Sequence, residues 1–274
     1  MSLGIVVKGP EGLVLAAESR VTITVSPTVP TPWAQVFPVN FDNAVKLLSF
    51  QEPNTAVGAV TYGQAAIGMR TAYSFIPEFE EELPQDRLSI KDFSARLSRF
   101  FAEQWRMTMQ TDYQGPDMMF VVAGFDIGEP YGRVYKFGIP SSPTPIEQQP
   151  SLQDFGITWG GRQEFIDRLM QGFDNQLLGV ITTALNLQPE QVQPLAQALQ
   201  QLQMPIPLQA MALQDCVDLA IFFIRTTIGA QKLTLGLRDC GGPIDVATIT
   251  RREGLKFVQR KQLVGEAASL VAMS

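Results

Sequence analysis

Apolar positions alternate with polar ones from the start of the chain. Gly4-Ile5-Val6-Val7-Lys8 and Leu13–Glu18 are rich in Val and Leu and flank Gly9-Pro10-Glu11-Gly12, a turn composition, so they predict a β-hairpin. Ser26–Asn40 carries Pro27, Pro30, Pro32 and Pro38. Proline has no N–H and disrupts both ladders and helices, which predicts a loop there. Lys46–Phe50 and Thr55–Thr61 read as the next strands, and Gln64–Glu82 as a helix. Ser89, with Asp92 three residues on, forms a capping box ahead of a helical stripe of Ile90, Phe93, Leu97, Phe100 and Phe101. Met118–Phe125 reads as a buried strand, Gly128–Gly132 as a turn and Arg133–Phe137 as its partner strand. Pro140–Pro150 is a polar, proline-rich connection.

The second half adds further helices and strands. Gly160-Gly161 precedes a predicted helix with Phe165, Leu169 and Phe173 on one face. Asp174–Met211 is Gln-rich and helical in period, broken at Pro189, Pro205 and Pro207. Leu213, Cys216, Val217, Ala220, Ile224 and Ile228 make a further helix stripe. Ile244–Thr250 and Leu255–Arg260 close the chain as a hairpin around Glu253-Gly254. The order is strands, two helices, strands, two helices, strands. That places the chain in the α+β class, as a four-layer αββα sandwich of two antiparallel sheets. Neither an internal repeat nor a linker composition divides it, so residues 1–274 read as one domain.

Composition narrows the chemistry. The chain has 274 residues, 45% hydrophobic and 18% charged, which suits a sizeable core. A formal net charge of -6 with no Lys/Arg run argues against nucleic acid as a partner. Apolar stretches such as Ala220–Ile224 are too short to span a bilayer. The first residues show no basic n-region followed by a long apolar run. Neither membrane insertion nor a secretory signal is expected, and the expected compartment is the cytoplasm. Cys216 and Cys240 are too few for a disulfide framework and read as buried thiols. The chain has no histidine, which excludes Ser-His-Asp and Cys-His catalysis and His-ligated metals. No metal or organic cofactor is expected. An enzyme built from these residues needs Lys, a carboxylate or an α-amine as its base, and a protein without chemistry meets the same limits.

The closing segment Gly241–Gly254 fits Gly-Gly-x-x-Asp-Val-Ala-x-Ile-Thr-x-x-x-Gly. Together with Gly4–Arg20, Lys46–Gly68 and Asp117–Gly138, it resembles the β-type subunits of the proteasome family, within the N-terminal-nucleophile (Ntn) hydrolase fold. Active members use an N-terminal Thr as nucleophile, an acidic residue after the second strand and a Lys on the third. By this resemblance Glu18 takes the acidic position and Lys46 the lysine position, and Arg20 also fits. Lys46 would ease ionisation of a neighbouring hydroxyl, and Glu18 would hold Lys46 charged and oriented. Read structurally, the same pair is a buried ion pair that fixes strand register.

The family's Thr lies four residues before the glycine matched by Gly4. Ser2, with Met1 removed, offers a hydroxyl beside a free α-amine two residues later, roughly 7 Å along a strand. Asp239 is the candidate substitute for a family Asp whose position falls on Leu237. Gly160-Gly161-Arg162 stands where the family has Ser-Gly-Ser, and Cys240 where it has Ser. The oxyanion donor is expected among the backbone N–H groups of Val60–Gly63. Relative to the family the chain carries insertions at about 23–42 and 174–211. The first lies near the family's substrate cleft. The second presents Leu195, Leu199, Leu202 and Met204, to pack either on a neighbouring subunit or on its own domain.

Two functions follow from the resemblance. One is a self-assembling peptidase or amidohydrolase, a homo-oligomeric ring acting on peptide or protein substrates, with Ser2, Glu18, Lys46 and Asp239 as the site. The other is a catalytically silent subunit that serves as a ring scaffold or binding protein.

Overall fold

In the computed structural model, which describes residues 2–25, 37–151 and 154–265, the apolar segments pair into two five-stranded antiparallel sheets. The first half of the chain supplies β1 (Leu3–Lys8), β2 (Leu13–Glu18), β3 (Val21–Val25), β4 (Phe37–Phe41), β5 (Leu47–Ser49) and β6 (Val57–Gly63). It continues through β7 (Ala66–Ile67), β8 (Arg70–Thr71), α1 (Ile76–Glu81) and α2 (Ile90–Thr108). Then come β9 (Met118–Gly124), β10 (Arg133–Ile139), β11 (Ser142–Gln148) and β12 (Gly156–Gly161). The remainder supplies α3 (Glu164–Gln171), α4 (Leu177–Ala184), α5 (Pro189–Leu199), α6 (Leu213–Leu233), β13 (Ile244–Thr250) and β14 (Gly254–Gln259).

The first sheet runs β12-β1-β2-β13-β14 and the second β11-β10-β9-β6-β5. Three apolar layers hold them. Leu15, Val60, Val121 and Ala247 pack between the sheets. Phe79, Phe93, Phe101 and Phe120 join α1 and α2 to the second sheet. Ile5, Ile166, Phe223 and Ile224 join α3 and α6 to the first. This is the four-layer αββα sandwich expected from the element order.

The helices with a clear stripe behave as their sequences dictate. Ser89 accepts a hydrogen bond from the Asp92 N–H at 3.1 Å and caps α2. The whole predicted stripe of α2 is buried. In α6, Cys216, Val217, Ala220 and Ile224 are buried, together with Phe223. Both cysteines are buried thiols, as composition suggests.

Several local expectations give way. The helix expected over Gln64–Glu82 is reduced to α1, preceded by the β7–β8 hairpin. Gly63 and Gly68 adopt φ of 86° and 57°, a backbone no helix can continue through. Pro77 then sits in the first turn of α1, where its missing N–H costs nothing. Inside the proline-rich connection 140–150 lies β11, an edge strand, where prolines need not complete a second ladder. Residues 37–40, expected as loop, belong to β4 and pair with β3. The rest of that stretch, residues 26–36, lies outside the described residues. Phe173 falls beyond α3, which stops at Gly172 in a left-handed conformation with φ of 82° and buries Ile166 and Asp167 instead. In the second insertion Pro189 starts α5 rather than breaking it, and neither α4 nor α5 buries a residue. Among the described residues no helix is long and apolar enough to cross a membrane.

The contrast between layers is measurable. Leu15→Ala, which empties space between the sheets, is expected to cost about 2–5 kcal/mol. Val180→Ser, on exposed α4, should change stability by less than about 0.5 kcal/mol. Urea denaturation of the two variants checks this. Equal losses would contradict a core confined to the sandwich.

Candidate active site

Glu18 ends β2 in the first sheet, and Lys46 immediately precedes β5 in the second. The facing of the two sheets therefore brings their side chains together. The Lys46 ammonium donates to Glu18 Oε1 and to the Arg20 carbonyl. Three backbone amides complete the carboxylate's shell. Leu3 N–H donates to Oε1 at 3.2 Å, while Arg20 N–H and Gly241 N–H donate to Oε2 at 2.7 and 3.0 Å. The Glu18 and Lys46 side chains are 0% and 6% exposed. Burial pushes the Lys46 ammonium below its ordinary pKa of 10.5, and the Glu18 charge opposes that shift.

A second ionic clamp fixes the backbone around this pair. Arg20 forks onto Asp42 with contacts of 2.6 and 2.8 Å, and its remaining Nη donates to the Arg238 carbonyl at 2.9 Å. The hydrogen bond from Arg20 holds the Asp42 carboxyl below the usual range. An added Cβ at Gly241 would lie 2.5 Å from the Arg20 guanidinium carbon, so a side chain there would push Arg20 off its clamp. Beside it, Lys261 donates to Asp245 and to the Ser19 hydroxyl, the latter at 3.0 Å.

Ser2 lies at the entrance to β1. It is buried, and its carbonyl accepts from Arg162 N–H at 2.8 Å. Ser2 and Lys46 line one recess with Thr61, Tyr62 and Gln64. The recess holds about 20 Å³, room for a single water. Among the described residues no hydrogen bond joins the Ser2 hydroxyl to Lys46 or Glu18. Asp239 is brought near by a different route. It accepts from the Gln231 amide at 2.8 Å, and Arg162 Nη1 lies 3.7 Å from its other oxygen. It thus reaches the Ser2 segment through Arg162, and among the described residues it has no hydrogen bond to Lys46 or Glu18.

The other candidates sort themselves. Burial, reinforced by the charges of Glu18 and Asp239, pushes the Cys240 thiol far above its ordinary value, so it is no nucleophile at neutral pH. Of the expected oxyanion donors, the Thr61 N–H is occupied by the Lys46 carbonyl at 2.9 Å. Among the described residues no group of three His, Cys, Asp or Glu could hold a metal ion. A larger cavity of about 640 Å³, lined by Gln51, Asn54, Glu80 and Pro84, contains none of these side chains. Sequence reasoning missed Asp42, Lys261 and Tyr62. Each reaches the site across a long stretch of chain, and no local spacing marks it.

No family model matches this chain, and no curated protein matches its sequence. Solved structures do match its fold. The Anbu complex from Pseudomonas aeruginosa, described as a helical assembly, is 14% identical with a TM-score of 0.57, covering 99% of this chain and 91% of that one. An Anbu Gly-1 mutant from Hyphomicrobium sp. strain MC1 is 13% identical with a TM-score of 0.56, covering 100% and 95%. Anbu, the ancestral beta-subunit, from Yersinia bercovieri is 15% identical with a TM-score of 0.52, covering 99% and 95%. At this identity the likeness establishes the fold: the chain has the proteasome-like Ntn-hydrolase fold.

The buried pair makes two stability predictions. Glu18→Gln strands a buried ammonium and is expected to cost about 3–5 kcal/mol. Lys46→Met leaves Glu18 its three amides and should cost less, and adding it to Glu18→Gln should recover stability. Denaturant titration of the three variants checks the order. Because Lys46 titrates lower folded than unfolded, the unfolded chain binds more protons between that lowered value and 10.5. The cost of burying Lys46 is therefore full below the window and absent above it. Lys46 should contribute a rise in stability with pH across the window in the wild type, and that rise should be smaller in Lys46→Met, where only the other desolvated lysines, Lys8 and Lys136, still supply it.

Proposed function

We propose that this chain is a subunit of a self-assembling, proteasome-like particle that hydrolyses peptide or amide bonds, with Ser2 as N-terminal nucleophile once Met1 is removed. The observation that carries this reading is the buried Lys46–Glu18 pair, whose Lys46 shares a recess with Ser2. In this mechanism the Ser2 α-amine takes the hydroxyl proton as Oγ attacks the substrate carbonyl carbon. The tetrahedral oxyanion collapses, the C–N bond breaks, and the ammonium returns the proton to the leaving amine. Water activated by the same α-amine then hydrolyses the ester on Ser2. The Lys46 ammonium favours the ionising hydroxyl by its charge, and Glu18 with the Arg20 carbonyl aims it. Neither metal nor organic cofactor takes part in these steps.

Self-association draws support from two sides. One fold neighbour, the Anbu complex from Pseudomonas aeruginosa, forms a helical assembly. The α4–α5 hairpin buries none of its residues within the chain and exposes Val180 and Leu185, as a contact surface for a second copy would. Substrates of peptide or protein type and a cytoplasmic location complete the reading.

A second reading, a catalytically silent subunit that serves as scaffold or binding protein, is favoured by one feature. Lys46 is already engaged by Glu18 and the Arg20 carbonyl, and the recess is only about 20 Å³. Intact mass of the natively expressed protein, with and without a β-lactone or epoxyketone probe, separates the two. The hydrolase reading expects loss of Met1 and a single adduct, abolished by Ser2→Ala. Retained Met1 with no adduct would overturn it in favour of the silent subunit. Native mass of the same sample is expected at a multiple of the 30.2 kDa chain.

A further inference from the structure

We infer that the open edge of β12 takes a further strand: an extended peptide segment, antiparallel to β12, that brings an acidic side chain to the unpaired Lys136 ammonium. This stands apart from the Ser2 reading.

β12 is the outermost strand of the first sheet, and among the described residues it pairs with β1 alone. In an antiparallel ladder, successive residues turn their N–H and C=O alternately toward the neighbouring strand and away from it. The Arg162 N–H bonds to the Ser2 carbonyl, and the register places Gly160, Thr158 and Gly156 in the same phase. Those three therefore face β1, and Ile157 and Trp159 turn their backbone groups outward. The Trp159 carbonyl agrees: the group that reaches it is the Gln163 side-chain amide, at 3.5 Å. Among the described residues no backbone partner meets the Ile157 or Trp159 N–H. Unpaired edge groups of this kind are a template for strand addition.

This edge lies in an open groove of about 260 Å³, which Gln171 and Asn175 flank from the α3 side and Lys136 from the second sheet. The pleat sets the faces. Ile157 and Trp159 pack with the α3–α6 layer, so Thr158 faces the second sheet. Tyr135 and Phe137 pack in the α2 layer and Val134 between the sheets, so Lys136 faces the first sheet. Lys136 is half-buried, and among the described residues nothing accepts a hydrogen bond from its ammonium or pairs with it. Burial pushes that ammonium below the ordinary lysine value, with no carboxylate of the chain to push it back. A half-buried cation left without a partner fits an occupant that carries the missing negative charge.

The register of the occupant follows. Its residue opposite Thr158 shares the Thr158 face and points to the Lys136 side of the groove, so that residue is the acidic one. The residues before and after it oppose Ile157 and Trp159 and exchange backbone hydrogen bonds with them. Their side chains lie on the α3 face beside Gln171 and Asn175, where threonine, polar and suited to a strand, fits.

The peptide acetyl-Ser-Thr-Glu-Thr-Ser-amide tests this. It is titrated into the full chain by calorimetry, and hydrogen exchange of the complex is read by mass spectrometry. Saturable binding with Kd at or below about 1 mM is expected. Exchange should slow over β12, where the Ile157 and Trp159 N–H groups are the ones β1 leaves free. Lys136→Met in the chain, or Gln for Glu in the peptide, should each weaken binding about tenfold, and the two together no further. N-methylation of either threonine should abolish binding. N-methylation of the glutamate, whose N–H points away from β12, should be tolerated. Absence of saturable binding, binding without slowed exchange over β12, or an affinity indifferent to both charge changes would overturn the inference. Acetate binding as tightly as the peptide would also overturn it, making Lys136 a site for a small carboxylate instead of a strand.

Discussion

A carboxylate taken out of water must be given a full shell of donors or the fold cannot hold it, and Glu18 is the place where this chain meets that demand. Its shell comes from four separate segments: the N–H of Leu3 at the start of β1, the N–H of Arg20 after β2, the N–H of Gly241 before β13, and the ammonium of Lys46 before β5. Lys46 comes from the second sheet and the rest from the first or its connections. One side chain thereby joins the two sheets at the end where Ser2 emerges. Gly241 lies so close to the Arg20 guanidinium that a side chain there would displace it, and Arg20 in turn is clamped on Asp42. Removing Glu18 itself would leave the buried Lys46 ammonium without its counter-charge.

The same arrangement connects architecture to chemistry. Burial pushes the Lys46 ammonium toward neutrality and the Glu18 carboxylate pushes it back toward charge. The sandwich places Lys46 and Ser2 at the wall of one recess, which Tyr62 also lines, and the Tyr62 ring lies over Gly4 and Gly160. The α4–α5 hairpin is a different kind of element. None of its residues is fully buried, its inward apolar residues such as Ile181 and Leu195 are half-buried, and Val180 is exposed.

What the sequence disclosed follows the range of the forces involved. The α2 and α6 stripes were legible because a helix repeats its buried face every three to four residues, and Ser89 marked where the first of them begins. Glu18 and Lys46 were legible only through the family resemblance, which supplied both positions. Elements governed by pairing partners were harder to see. The β11 strand hides its edge position inside a proline-rich run, β12 is masked by Gly160-Gly161, and β4 exists by pairing with β3. Glycines with positive φ, not composition, cut short the helix expected over Gln64–Glu82. Contacts formed over long separations left no local trace: Asp42 on Arg20, Lys261 on Asp245, and the route from Asp239 through Arg162 to the Ser2 segment.

The most direct test of this site is an NMR pH titration of the Lys46 side chain, in the wild type and in Glu18→Gln. A buried ammonium held by Glu18 should titrate below 10.5 in the wild type and lower still in the variant, where the opposing charge is gone. A Lys46 that titrates at its ordinary value, unmoved by loss of Glu18, would contradict a buried charge pair at the centre of the fold and its site.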